Sequence, residues 1–311
     1  MATTTNINTT YAGQFAGKYI EAAQLASTTI GQDLITFKPN IGLKEVVKKM
    51  VLSDILKDAT CDFDPSGSIA LTERILTPKE LQVNQVLCKK DFINDWEALQ
   101  MGFGVSNRVL PPTFADFLIS SYTMHIGASI ETNIWQGVSG AGAFDGFETL
   151  FTADGAVIDV SGATTLSKSN IIAELEKCVD AVPTTLFGAP DLTLYVSQAA
   201  YKYYLQALGG FGASGLGANG VGGQGPLFAG NAGLLTVGGI PVMMANGLAT
   251  NSMVVAQKSN LWFGTALMSD MNEVKVLDMA DLDGSQNVRF IMRFTAGVQY
   301  GLSSEIVYYK G

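Results

Sequence analysis

The residue types that most often carry chemistry are scarce in this sequence. His125 is the only histidine, and Cys61, Cys88 and Cys178 are the only cysteines. The cysteines are 27 and 90 positions apart and form no CxxC pair, a pattern typical of free thiols in a reducing compartment. Neither a cysteine-rich zinc site nor a nucleophile elbow with a histidine base is present. We therefore expect no catalytic residues, and we interpret His125 as a packed or interfacial side chain.

One glycine-rich motif matches a cofactor-binding pattern. GLGANG at 215–220 has the G-x-G-x-x-G spacing that brings backbone close to a pyrophosphate. That chemistry needs a strand before the motif, a helix after it and an acid about 20 residues on. Here a helical pattern precedes it, more glycine follows, and the first acid is Asp270. We therefore predict a flexible loop over 209–225 and no cofactor.

A second motif has the spacing of a calcium loop. In DFDPSGSIALTE the oxygen ligands would be Asp62, Asp64, Ser66 and Glu73. Pro65 is awkward inside such a loop, and no second copy pairs with it. The residues DPSG at 64–67 also suit a type I turn. We predict the tip of a hairpin here rather than a metal site.

The composition leaves a surface that is poor in charge. The 311 residues are 47% hydrophobic but only 15% charged, and 203–257 contains no charged side chain. Gly, Asn, Gln and Pro interrupt every window there that could span a membrane, so we expect no membrane span. The formal net charge is −9, which argues against wrapping of nucleic acid through released counterions.

The clearest predicted element is a helix over 113–136. Thr113 can cap its start after two prolines, and Gly137 follows its end. Six apolar residues recur at i+4 spacing and form one stripe along it: Phe114, Leu118, Tyr122, Ile126, Ile130 and Ile134. Such a helix is a strut against which other elements pack.

The rest of the chain divides into an N-terminal arm, an extended region and an α+β region. In the arm, Phe15, Tyr19 and Leu25 have helical spacing, and an arm that cannot bury such a stripe against its own chain must pack on a neighbouring copy or stay disordered. We expect them to pack on a neighbour. Beyond the 113–136 helix, helices and short strands alternate. A turn at 281–286 separates the last long strands, and we interpret Asp278, Asp281 and Asp283 as its solvated acids.

This order of elements resembles the major capsid proteins of tailed bacteriophages, the Hong Kong 97 type. The resemblance covers nearly the whole chain. It depends on three stretches: LTERILTPKELQVNQVLCKKDFINDWEA, GGIPVMMANGLATNSMVVAQKSNLWFGTA and DGSQNVRFIMRFTAGVQYGLSSEIVYY. It implies an α+β capsid fold with an N-arm, an E-loop hairpin, a peripheral domain with a long spine helix, and an axial domain.

The resemblance also implies domain limits along the chain. They are an N-arm at 1–35, an E-loop region at 36–90, a peripheral domain at 91–160 with the spine helix at 113–136, an axial domain at 161–269, and peripheral strands at 270–311. The glycine-rich loop would then lie near a ring centre, where wide φ/ψ freedom lets it adapt to pentamers and hexamers. Its glycines there are Gly209, Gly210, Gly212, Gly215, Gly217 and Gly220.

The function implied is structural. Copies of the chain would form pentamers and hexamers of an icosahedral head that encloses double-stranded DNA without sequence-specific binding. Further partners would be a portal and a scaffold or decoration protein. The chain would be assembled in the host bacterial cytoplasm and end in the virion.

Two other readings stay open. An encapsulin-like nanocompartment shell shares this fold and differs in enclosing enzyme cargo instead of DNA. Another virion component, such as a tail protein, would form tubes or rings.

Overall fold

The computed structural model describes residues 8–11, 27–42, 44–53, 56–58, 61, 67–88, 112–209, 235–266 and 273–311. The predicted arm contacts of Phe15, Tyr19 and Leu25 lie outside these ranges, and so do Asp62, Asp64 and Ser66. Of the loop glycines, Gly209 is described at a helix end, and the other five lie outside. The described chain mixes helices and strands, which confirms the α+β prediction.

Among the described elements, α2 (Pro112–Gln136) is the longest helix, with 25 residues. It confirms the helix predicted over 113–136 but begins one residue earlier. Thr113 therefore lies in the first turn. Proline suits this turn because its missing N–H would have no helical partner there.

The apolar stripe of α2 faces the core as predicted wherever its side chains are described. Ile126, Ile130 and Ile134 are buried, and Tyr122 stacks on Phe290 with ring centroids 4.6 Å apart. The i+4 spacing places these residues one above another on the helix. α2 and the first sheet thus share one hydrophobic core.

The first sheet has six strands. Its main path is β1 (Asn8–Tyr11), β12 (Glu273–Asp278), β13 (Asn287–Tyr300), β11 (Leu261–Gly264) and β2 (Thr36–Lys38), and β5 (Lys79–Cys88) also pairs with β13. The short helix α1 (Thr28–Gly31) precedes β2. The pairs are antiparallel except β11 with β2. The 14-residue strand β13 is the axis of this sheet, because it pairs with β5, β11 and β12.

The second sheet also has six strands and its own core. Their order is β6 (Ile158–Asp159), β14 (Val307–Lys310), β10 (Ser252–Gln257), β7 (Leu192–Val196), β9 (Ile240–Met244) and β8 (Thr236–Val237). Helices α4 (Ile171–Asp180) and α5 (Gln198–Gly209) contribute to the same core. Ser197 caps α5, since Ala200 N donates to its Oγ at 3.3 Å. The central strands are buried on both faces, which explains their continuous apolar sequence.

A separate two-stranded hairpin is formed by β3 (Glu45–Ser53) and β4 (Ser68–Leu76). Its antiparallel register runs from Glu45 opposite Leu76 to Ser53 opposite Ser68. The hairpin predicted around 64–67 is therefore present, although its tip lies mostly outside the described residues. Neither strand joins another described sheet.

Two strands pair with strands that lie far away in the sequence. β11, predicted within 161–269, pairs with β13 of the first sheet, and β14, predicted with 270–311, pairs with β10 of the second. Both strands are almost wholly buried, so their apolar sequence does not distinguish one sheet from the other. The domain limits stay a prediction.

A tight turn joins α2 to the next helix, α3 (Phe147–Ala153). Gly137 ends α2 as predicted, and Gly146 N donates to Gly137 O at 2.8 Å. A Cβ at Gly146 would lie 2.6 Å from the carbonyl oxygen of Trp135. Only glycine fits there without moving backbone.

We predict that Gly146→Ala lowers the free energy of unfolding by more than about 2 kcal/mol, because the new methyl group meets rigid backbone. Gly155→Ala is the matched control, since a Cβ there meets nothing within 4 Å. It should be neutral or slightly stabilising. Urea unfolding of both variants measures the difference, and equal stabilities would contradict the prediction.

Candidate functional site

The residues that could do chemistry do not converge on one site. His125 is exposed on α2, so the expectation of a packed side chain is wrong for the single chain, while an interfacial role stays a prediction. Cys61 is exposed, whereas Cys178 is buried and burial raises the pKa of its thiol to about 12. A thiol with such a pKa is a poor nucleophile. Among the described residues, no three His, Cys, Asp or Glu side chains group in a way that could hold a metal ion.

The acids of the two loop motifs have local partners. Asp278 Oδ1 accepts from Ala280 N at 3.0 Å, and Asp283 Oδ1 accepts from Ser285 N at 2.9 Å. Hydrogen bonds from Ser285 lower the pKa of Asp283. Glu73 lies in β4 and pairs with Lys48 at 3.5 Å across the hairpin. These contacts favour turn and strand roles for the three acids.

One buried carboxylate connects three distant segments. Glu131 of α2 is 5% exposed, and it accepts from Thr29 N at 2.8 Å, Thr29 Oγ1 at 2.6 Å and Gly247 N at 3.1 Å. Thr29 Oγ1 in turn accepts from Trp135 Nε1 at 2.8 Å. We call Thr29, Glu131, Trp135 and Gly247 the Glu131 junction. Because a buried charge is costly without partners, these donors hold α2, α1 and the loop after β9 in one arrangement.

Close packing reinforces the junction. A Cβ at Gly247 would lie 2.0 Å from the backbone oxygen of Glu131, so the loop contacts α2 directly. Gln136 Nε2 donates to Gly247 O at 2.6 Å, and Tyr195 OH of β7 donates to Leu34 O at 2.6 Å. The segment before β2 is therefore fixed to both sheets.

The base of the hairpin is attached to the body by a polar cluster. The Arg74 guanidinium forms an ion pair with Asp154, which follows α3, and its Cζ lies 4.5 Å from the centroid of the Tyr300 ring. Tyr300 OH donates to Asp154 Oδ2 at 2.7 Å. Hydrogen bonds from Arg74 and Tyr300 lower the pKa of Asp154 to about 2, and burial raises the pKa of Tyr300 to about 12. We call Arg74, Asp154 and Tyr300 the hairpin latch.

One face of the hairpin exposes apolar side chains. The register places Val46 opposite Ile75, and Ile69 lies six residues before Ile75 on the same strand. Side chains alternate between the two faces of a strand, so these three share one face, with the exposed pair of Lys48 and Glu73 between them. Val46, Ile69 and Ile75 are 45%, 66% and 47% exposed. Such a surface is typical of a contact with another protein.

A groove of about 410 Å³ separates α2 from β5. Leu81 and Val83 of β5 line one side, and Tyr122, His125 and Ile126 of α2 line the other. No described helix combines the length and hydropathy needed to cross a membrane.

Sequence reasoning missed both polar clusters. Glu131 stands in an otherwise uncharged stretch of helix, and this is the one sequence signal for the Glu131 junction. The sequence around Arg74 carries no comparable signal for the hairpin latch, because charged residues are common in hairpins. Its partners lie 80 and 226 positions away.

The sequence matches no family model and no curated protein, but solved structures match its fold. A chain of the satellite phage P4 procapsid structure has 12% identity and a TM-score of 0.56, and the match covers 94% of this chain and 98% of that one. A chain of the cyanophage A-1(L) capsid asymmetric unit has 14% identity and a TM-score of 0.57, with 91% and 92% covered. This is the Hong Kong 97-type capsid fold.

The capsid fold also occurs in a match from outside the phages. The virus-like particle from Pyrococcus furiosus has 10% identity and a TM-score of 0.52, with 94% of this chain and 96% of that chain covered. The matches run over nearly whole chains in both directions. The fold expected from the resemblance is thus confirmed.

We predict that Glu131→Ala lowers the free energy of unfolding by about 3 kcal/mol or more, because it leaves the buried N–H groups of Thr29 and Gly247 without an acceptor. Glu80→Ala is the matched control, because Glu80 is exposed on β5. It should change the free energy of unfolding by less than about 0.5 kcal/mol. Urea denaturation followed by tryptophan fluorescence measures both. Similar losses in the two variants would rule out the role given to the junction.

The Asp154 pKa predicts an acid-sensitive contribution to stability. The folded pKa is below the ordinary value of 3.8, so the stabilisation is complete above about pH 4 and is lost as the pH falls towards about 2. Partial exposure of the pair reduces the effect to about 1 kcal/mol. Asp154→Asn should therefore be less stable than the parent chain at pH 7, and the gap should narrow towards pH 2.5. A gap that is constant with pH contradicts this.

Proposed function

We propose that the chain is a major capsid protein whose copies assemble into pentamers and hexamers of an icosahedral head around phage double-stranded DNA. The observation that carries the proposal is the match of fold over nearly the whole of both chains to proteins of assembled particles. The role is structural, and no catalytic step is assigned to any residue. Portal and scaffold or decoration proteins belong to the same proposal, as does a place in the virion after assembly in the bacterial cytoplasm.

The surface of the chain supports assembly on physical grounds. A two-stranded hairpin is marginal in water on its own, and β3 and β4 expose an apolar face besides. Docking this face on a second copy removes it from water and orders the hairpin. Obligate interfaces commonly bury about 2,000 Å² or more, and they are richer in apolar surface than other contacts. A charge content of 15% is consistent with such contacts.

The acidic net charge of −9 fits a container better than a DNA-condensing protein. In this proposal DNA is enclosed without sequence-specific binding. The groove between α2 and β5 and the loop around 209–225 are further candidates for contacts between copies, the loop near the ring centres.

Electron microscopy of the purified chain tests the proposal. We expect closed icosahedral shells in place of the 32.9 kDa monomer. Ile69→Asp should abolish shells while leaving the monomer folded, because it places a charge in the apolar face that docks. Light scattering and circular dichroism read out the two effects.

Ser68→Asp is the matched control. Ser68 directly precedes Ile69 and is also exposed, but it lies on the opposite face of the hairpin. It should still form shells. A stable monomer of the parent chain contradicts the proposal, and tubes would favour a tail protein. Shells that enclose enzyme in place of DNA in the native host would favour a nanocompartment.

A further inference from the structure

The hairpin is long compared with its base, so a small rotation at the base displaces its far end. β4 has nine residues, so at about 3.3 Å per residue the hairpin extends about 30 Å from its base. A rotation of about 10° at the base moves the far end by about 5 Å, whereas preformed interfaces tolerate backbone shifts of only about 1 Å. The direction of the hairpin must therefore be set to within about 2° before it can dock.

The apolar contact at the base is a pivot and does not set that direction. Leu76 at the end of β4 is fully buried, in a small cluster with Ile41 and Trp262. Apolar contacts have little directional preference. Beside them Gln299 Nε2 of β13 donates to Ile75 O at 3.1 Å, so the angle of the strand depends on the polar contacts to β4.

The hairpin latch has the directional geometry that the pivot lacks. Arg74 lies two residues before Leu76, on the same face of β4. Its guanidinium pairs with Asp154, stacks on the Tyr300 ring and donates from Nη1 to Tyr300 OH at 3.3 Å. Asp154 is itself held, since its Oδ1 accepts from Ala156 N at 3.0 Å. A planar group bound on its edge and its face has one orientation only.

A weaker contact restrains the other strand. Lys38 Nζ lies 2.7 Å from Glu45 Oε1, at the start of β3, and 4.8 Å from the centroid of the Trp262 ring. Glu45 is opposite Leu76 in the register and so lies level with the pivot. The latch lies farther from the pivot along the hairpin. It therefore resists rotation of the hairpin more strongly than the Lys38–Glu45 contact does.

We propose that Arg74 is a positioning residue for assembly: by binding Asp154 and Tyr300 it fixes the direction in which the hairpin leaves the body, and thereby the curvature of the shell. This inference rests on the proposed function. The side chains of Arg74 and Asp154 are 34% and 22% exposed, so the pair adds little to global stability. Its main effect is on the direction of the hairpin. Stability and assembly can therefore be measured separately.

The test compares shells of the parent chain and of Arg74→Met by cryo-electron microscopy, with thermal unfolding of the same preparations. We expect Arg74→Met to reduce the fraction of closed, uniform shells about tenfold and to yield open or unequal particles. Its Tm should stay within a few degrees of the parent value. Arg74→Lys should give an intermediate result, since lysine keeps the charge but cannot pair and stack as a planar group.

The double variant Arg74→Glu with Asp154→Arg should restore uniform shells only in part, because the reversed pair can form across the same gap but Glu cannot stack on the Tyr300 ring. An unchanged Tm together with altered shells distinguishes a positioning role from a purely structural one. Glu176→Ala is the control. It removes an exposed charge of α4, away from both the hairpin face and the latch, and it should leave the shell diameter unchanged.

Uniform parent-sized shells from Arg74→Met would overturn the inference and leave the proposed function intact. So would a loss of the cooperative unfolding transition in both Arg74→Met and Asp154→Asn, since the latch would then be needed for folding itself. Absence of shells from the parent chain would refute the proposed function instead.

Discussion

The fold depends on the buried carboxylate of Glu131. A charge in the interior is tolerated only when its hydrogen bonds are complete, so the three donors to Glu131 are obligatory partners. They come from α1 and from the loop after β9, which the chain places far apart. Once these donors are in place, α2 has one rotation and one position relative to both sheets. Packing of the isoleucine stripe alone would leave neighbouring positions of similar energy.

The sequence predicted elements better than it predicted their partners. Helix α2 could be predicted because its i+4 stripe, its prolines and Gly137 all indicate the same ends. The Glu131 junction could not be predicted, because its donors are 102 and 116 positions away. Nor could the sheet that takes β11 or β14, because strands buried on both faces are apolar throughout in either sheet.

The polar clusters and the exposed face of the hairpin differ in where their partners lie. Glu131 and Asp154 have hydrogen-bonding partners within the chain, whereas Val46, Ile69 and Ile75 expose apolar surface. In the proposed function, the polar clusters act within one subunit and the exposed face of the hairpin acts between subunits. On that proposal, the charge-poor composition corresponds to surface that contacts other copies rather than water.

The pairing of β5 with β13 has a consequence for the timing of synthesis. Residues 79–88 cannot pair until residues 287–296 have been synthesised. At about 5–20 residues per second, the ribosome needs on the order of 10–40 s to reach them. Tyr300, against which Arg74 stacks, arrives later still. A nascent chain can therefore pair β3 with β4 early, whereas the contact between Arg74 and Tyr300 forms only after nearly all of the sequence has been translated. Chains that terminate before Tyr300 carry the hairpin without this contact.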